Sequence, residues 1–493
     1  MSLKKNVVSN YIGNFLAVIV NFSLVPIYLK YLSVEEYGII TFFGTITSVF
    51  VILDMGLGLT VNKEIATSIA KKESKKETGD VIRTFEIIYW LVAIFIGCIL
   101  LFASNLIAEN WLNVEEISYG TLSSIISLMG VALLFRWPIS FYNNSLSGFQ
   151  KMVNLNVIKS IVFIVNIVSI LLLFNFFEIR VKGVFNFFVF LYLFNTILLV
   201  YSVWSSNNVN FFKSKFRINI LKKAKKFILS IGLFSILGTI FTLLDKIVIS
   251  KFFSTEDLGY YSLVSMMSLV LLQLVYPVSS ALFPKFVENY TKSEHENSFR
   301  VFRKGYHIII TLVFSVSSIL IFFRREILFL WTQNENVATN SVVYFSPLIF
   351  GTIFYTLHVL IISIYTSIGK TKAINYLYIT ISIFYLVLLS ISVLNNNLLW
   401  IAYSWTIVNF LLLLGSLYLG SIILGKERIM KFLIKDLLLP ILLLSAVYLL
   451  SNLYVLPKLS LINILAVIIG SSALSFISYA LMTPYPWLFI KKR

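Results

Sequence analysis

Charge is scarce in this chain. Only 13% of its 493 residues are Asp, Glu, Lys or Arg, roughly half the share found in soluble domains. Acidic side chains are the rarer kind, 22 against 40 basic ones, leaving a formal charge of +18. There is one cysteine, Cys98, so no internal disulfide can form. That cysteine and three histidines are too few for a structural metal cluster, and no metal or organic cofactor is expected. No long polar segment remains to build a soluble catalytic domain. Paired carboxylates, a phosphate-binding glycine loop and a nucleophile constellation are also missing. A non-enzymatic role is expected.

Apolar residues fill the place of the missing charge, at 58% of the chain. They recur in runs long enough to cross a hydrocarbon core of about 30 Å. The runs predict fourteen spans: 8–29, 38–60, 83–106, 118–140, 156–177, 183–204, 227–249, 259–282, 305–323, 341–366, 375–394, 399–423, 437–452 and 461–483. The basic start and long first apolar run read as an uncleaved span, because a signal peptide has a shorter core and a small-residue cleavage site. Pro26, Pro277 and Pro347 fall inside spans or near their ends, where neighbouring helices can satisfy the freed backbone groups.

With these spans, 32 of the 40 basic residues fall in loops or span ends on one side. They include Lys4, Lys5, Lys71, Lys72, seven in 205–226, five in 284–304 and the tail Lys491–Arg493. The positive-inside rule then places both termini in the cytoplasm. The same distribution argues against nucleic acid as a partner. Phe211–Lys226 (FFKSKFRINILKKAKK) mixes bases and aromatics. It also joins two spans on the predicted cytoplasmic face, where anionic lipid attracts basic residues. It reads as a topology determinant or an interfacial helix.

Two short stretches repeat at one offset. KYLSVEEYG (Lys30–Gly38) matches KFFSTEDLG (Lys251–Gly259), and GFQKMVN (Gly148–Asn154) matches GKTKAIN (Gly369–Asn375), each 221 residues apart. The offset carries span 1 onto span 7, an even step of six, so the halves form a parallel repeat. The expected plan is an N-lobe over 1–204, a basic linker over 205–226, a C-lobe over 227–423 and two extra spans over 424–493. Serine followed by acids before an apolar run is a helix-start signal, so Glu35–Glu36 and Glu256–Asp257 are expected to begin spans 2 and 8.

PIYLKYLSVEEYGII, LDMGLGLTVNKEIA and LLDKIVISKFFSTEDLGYYSLV resemble the Wzx-type polysaccharide flippases of the multidrug/oligosaccharidyl-lipid/polysaccharide exporter superfamily. The resemblance covers the whole chain and is most specific over 1–66 and 227–290. It implies an all-α polytopic fold of two six-helix lobes in a V, plus two C-terminal helices. The implied cargo is an undecaprenyl-pyrophosphate-linked oligosaccharide, an O-antigen or capsular repeat unit. Transport would run from the inner to the outer leaflet of a bacterial cytoplasmic membrane, by alternating access, with H+ or Na+ as the coupling ion. The lipid bilayer and a polysaccharide polymerase would be its partners. The two extra spans resemble the lipid II flippase branch, where such spans form a groove for the lipid tail. That branch carries basic residues in spans 1, 2 and 8, where this chain has Asn10, Asn14, Asn21, Asp54 and Gln273. Teichoic-acid and lipid II flippases stay open as alternatives, as does a cation-coupled multidrug exporter. A membrane-bound polymerase or glycosyltransferase would need a large outer loop, and the longest outer segment is 324–340.

Ionisable residues at membrane depth are costly and mark functional candidates. The cationic candidates for a pyrophosphate head group are Arg83, Arg136, Lys159, Lys246, Arg303 and Lys304. Those for ion coupling are Asp54, Asp245, His307 and His358. Snorkelling of long basic chains to the interface competes with a cargo role, and for His358 a neutral hydrogen bond between helices competes with proton carriage. In DMGLG, which follows from Asp54, the glycines favour close helix packing.

Overall fold

The computed structural model describes residues 3–54, 56–71, 74–206, 211–292, 295–453 and 461–482. Lys72, Lys458, the tail Lys491–Arg493 and the side chains of Lys4, Lys5, Asn10 and Asn14 lie outside that description. The described chain is helical: α1 (Leu3–Tyr31), α2 (Val34–Val51), α3 (Leu57–Ala70), α4 (Lys75–Asn110), α5 (Tyr119–Arg136), α6 (Pro138–Gly148), α7 (Met152–Phe177), α8 (Val181–Trp204) and α9 (Ile218–Phe252). There follow α10 (Thr255–Thr291), α11 (His295–Phe322), α12 (Arg324–Thr332), α13 (Glu335–Ser367), α14 (Thr371–Leu394), α15 (Leu398–Leu424), α16 (Lys426–Phe432), α17 (Leu438–Leu453) and α18 (Leu461–Met482).

Each of the fourteen predicted spans overlaps one or more helices. Among the described residues, eleven helices have the length and apolar composition to cross a membrane. The protein is a multi-pass membrane protein. Helices dominate because hydrocarbon offers no partner for backbone N–H and C=O groups, so each span must satisfy its own.

Local chemistry sets the ends. Ser33 and Glu36 form a reciprocal capping box at α2, and Ser74 and Glu77 form another at α4. Ser254 accepts from the Asp257 N–H at 3.0 Å to start α10. Both repeated motifs therefore do begin helices. They do more than that. Glu35, 5% exposed, accepts the backbone N–H of Glu115 at 2.8 Å and that of Glu116 at 3.2 Å. Glu36, 1% exposed, accepts from Arg180 Nε at 3.0 Å and Val181 N at 3.2 Å. Asn113 accepts the Thr255 N–H at 2.9 Å, so the α4–α5 loop touches both copies. The two motif glycines meet here. A Cβ on Gly259 would lie 2.8 Å from the Val34 carbonyl oxygen, and one on Gly38 would overlap the Thr255 carbonyl.

Two predicted spans are interrupted. Span 38–60 breaks after Val51 into a short 3-10 turn (Ile52–Asp54), and Gly56 takes a left-handed φ of 76° before α3. Span 118–140 runs on past Arg136 through α6, with Pro138 in the first turn where its missing N–H costs nothing.

Contacts divide the chain into two compact units, Met1–Gly259 and Tyr260–Arg493. The basic linker is therefore internal to the first unit, and α9 packs with α2 and α3 there. In the second unit α13 and α15 form the most extensive helix pair, and α17 and α18 both pack on α11.

Candidate functional site

The last residue of α5 is Arg136, half-buried. Its guanidinium lies 5.7 Å from the Phe43 ring of α2 and 5.0 Å from the Tyr192 ring of α8. It donates through Nη1 to the Tyr192 hydroxyl. Phe43 is fixed in turn by Phe185 and Phe188, with ring centroids at 5.3 Å and 6.1 Å. No carboxylate pairs with Arg136 among the described residues. Aromatic faces hold a guanidinium in place without cancelling its charge. A planar fork kept charged in this way can bind phosphate through two parallel hydrogen bonds.

The other arginines are committed differently. Arg83 on α4 pairs with Glu86 at 2.8 Å and stacks 5.0 Å over Trp204. Glu86, 4% exposed, also accepts from the Tyr142 hydroxyl and Trp204 Nε1, each at 2.9 Å. Arg303 on α11 grips Asp436 with two bonds of 2.6 Å and 2.7 Å. Lys159 and Lys246 are half-buried and in no ion pair among the described residues. Lys304 is half-buried beside Arg303.

Asp54 occupies the break in span 2. Its carboxylate accepts from the Tyr89 hydroxyl, from Gly58 N at 3.0 Å and from Ser140 Oγ at 3.2 Å. It lines a cleft of about 210 Å³ with Asn144 of α6 and Thr239 of α9. Gly58 permits this approach of α3 to α6, since a Cβ there would stand 2.5 Å from Asn144 Nδ2. The close-packing reading of DMGLG agrees with this geometry. Asp245, 2% exposed, accepts the Lys246 backbone N–H at 2.8 Å.

In the second unit, His358 is fully buried on α13. Its Nε2 lies 3.2 Å from the Tyr378 hydroxyl of α14, and its Nδ1 has no hydrogen-bond partner. His307, 1% exposed, sits 3.6 Å from Asp436. The structure thus gathers Arg303 and His307 around one carboxylate, an association their positions in the sequence do not suggest. No group of His, Cys, Asp and Glu placed to hold a metal ion occurs among the described residues.

The profile of the polysaccharide biosynthesis protein family matches residues 3–290, more than half of the chain. The chain belongs to that family. The MatE profile matches residues 230–394 of this polysaccharide biosynthesis protein as well, which puts it in the multidrug/oligosaccharidyl-lipid/polysaccharide exporter superfamily. It is 23% identical over 411 residues to the "Putative O-antigen transporter" of Shigella flexneri, covering 83% of this chain and 95% of that one. Among solved structures it shares the fold of the lipid II flippase MurJ in an inward closed conformation. The TM-score is 0.69 at 15% identity, over 98% of this chain and 99% of that one. An inward-facing multidrug resistance MATE family transporter aligns with a TM-score of 0.64 at 15% identity, over 88% and 97%.

Asp80, Tyr192 and Asp436 escaped the sequence reading of this family member. Each owes its role to a partner at least 56 positions away. The sequence offered no signal for them, since Asp80 stands among Glu77 and Glu86, and Asp436 follows Glu427 in the same basic stretch.

Proposed function

We propose that this protein is a flippase for an undecaprenyl-pyrophosphate-linked oligosaccharide, moving it from the inner to the outer leaflet of the cytoplasmic membrane by alternating access. The termini would lie in the cytoplasm, with most basic loops on that side. The observation that carries the reading is Arg136, a half-buried guanidinium held by two aromatic rings with no carboxylate to neutralise it among the described residues. It fits a pyrophosphate head group, and the family membership and the Shigella relative support a glycan cargo. A polysaccharide polymerase would receive the product.

Deleting the gene is expected to make one lipid-linked oligosaccharide accumulate on the cytoplasmic leaflet, read by mass spectrometry of extracted lipids. Raised drug sensitivity without such accumulation would sink the proposal in favour of a multidrug exporter. A second reading, a lipid II or teichoic-acid type flippase, draws on the fold match that extends over 98% of the chain and so includes the C-terminal helices. Accumulation of the corresponding precursor would select it.

Coupling to H+ or Na+ is assigned to Asp54, whose carboxylate lines a cleft, and to the unpartnered nitrogen of His358. In proteoliposomes, Asp54→Asn is expected to uncouple transport from an imposed ion gradient while downhill exchange persists. Gradient-driven accumulation equal to the parent protein's would remove Asp54 from the coupling path.

A further inference from the structure

The break in span 2 gathers neutral oxygen atoms beside its carboxylate. An ionised carboxylate has about four lone-pair positions. The Tyr89 hydroxyl and Gly58 N take two on Asp54 Oδ1, and Ser140 Oγ takes one on Oδ2. The bond to Gly58 N satisfies an orphan donor in the first turn of α3, which accounts for Oδ1. It does not account for Oδ2, where one position remains. No basic side chain pairs with Asp54 among the described residues.

Asn144 of α6 stands beside that oxygen. A Cβ on Gly58 would lie 3.3 Å from Asp54 Oδ2 and 3.0 Å from Asn144 Cγ, so the two side chains meet over the face that glycine leaves bare. Asn144 Nδ2 donates to the Ser140 carbonyl at 2.9 Å, which leaves the amide oxygen as the group Asn144 can offer the cleft. Thr239 brings a hydroxyl from α9. Val51 and Ile52 bring the C-terminal end of α2, the negative end of its dipole. The remaining wall, with Leu59 and Ile236, is apolar, and a charge there is screened less than in water. All of these residues belong to the first unit.

We propose that this cleft binds a sodium ion through Asp54 Oδ2, the Asn144 amide oxygen and the Thr239 hydroxyl, with water completing the shell. The inference rests on the coupling reading of Asp54 and selects sodium over the proton. Three donors already surround the carboxylate, so the open position calls for a cation, and a proton would have no use for the two neutral oxygens. Hard cations take oxygen ligands, and a single negative charge among neutral oxygens suits a monovalent one. The volume of about 210 Å³ admits the ion and a few waters, at about 30 Å³ for each water. Because Thr239 stands on α9, a bound ion ties that helix to the break between α2 and α3.

The test measures equilibrium binding of radioactive sodium to the purified full chain in detergent, without cargo, with choline chloride holding the ionic strength. Saturable binding is expected, and Asp54→Asn should abolish it. Thr239→Val keeps the side-chain shape but removes the oxygen, and should weaken binding by about tenfold, as losing a hydrogen bond to a charged group does. Thr239→Ser, which keeps the hydroxyl, should bind as the parent protein does. Gel filtration would check that each variant is folded. Absence of saturable binding by the parent protein would overturn the site, as would parental binding by folded Asp54→Asn or equal loss in Thr239→Val and Thr239→Ser. Proton uptake that depends on Asp54, without sodium binding, would give the position to the proton and overturn it too. If the parent binds no sodium while Asp54→Asn still uncouples transport, the sodium site fails and the coupling role of Asp54 stands.

Discussion

Arg136→Ala should lower export of the lipid-linked glycan by about ten- to a hundredfold, because a hydrogen bond to a charged group contributes roughly 1.5–3 kcal/mol. The amount of protein in the membrane should stay the same. The substitution removes no carboxylate contact and strands no buried charge, since Phe43 and Tyr192 are the guanidinium's partners. Arg136→Lys should not restore export, because an ammonium lacks both the flat face for stacking and the paired donors for phosphate. Flux of fluorescent lipid-linked glycan in proteoliposomes and membrane abundance by immunoblot would be measured together. Parental flux in Arg136→Ala would return the residue to a packing role between α5 and α8.

Asp436→Ala should cost stability instead. The carboxylate, 7% exposed, lies in the π-helical turn Leu433–Leu437 just before α17. Removing it takes from Arg303 its two bonds to this carboxylate and from His307 the carboxylate 3.6 Å away. Breaking a buried ion pair from one side costs about 3–5 kcal/mol, and partial exposure of Arg303 places this case toward the lower figure. Thermal unfolding in detergent should show a clear drop, with Asp436→Asn intermediate because an amide still accepts one hydrogen bond. An unchanged melting temperature for Asp436→Ala would mean that apolar packing of α17 and α18 on α11 suffices. The Ser318–Tyr479 bond at 3.0 Å belongs to that same packing.

The two effects separate two kinds of membrane arginine that look alike in a sequence. Arg83, Arg136 and Arg303 all stand at span ends among apolar residues, and the helical spacing of each is unremarkable. Glu86 is three positions from Arg83 and could be paired with it by helix geometry alone. Asp436 is 133 positions from Arg303, and Phe43 is 93 from Arg136, so no local rule reaches either. The repeated KYLSVEEYG and KFFSTEDLG show the same limit. Their capping role was readable from serine and acid spacing. The burial of Glu35 and Glu36 beneath the α4–α5 loop, and the meeting of Gly38 with Thr255, were not.

By itself the sequence determined the membrane class, the placing of its apolar runs on helices and the helix starts at Ser33 and Ser254. Those follow from length, hydropathy and neighbours within one or two helical turns, because each span satisfies its own backbone. Only the tertiary structure decided which charges remain available. Pairing depends on helices distant in sequence bringing side chains together, where a carboxylate either neutralises an arginine, as Asp436 does Arg303 at 2.6 Å, or is replaced by aromatic faces that leave the charge intact, as around Arg136.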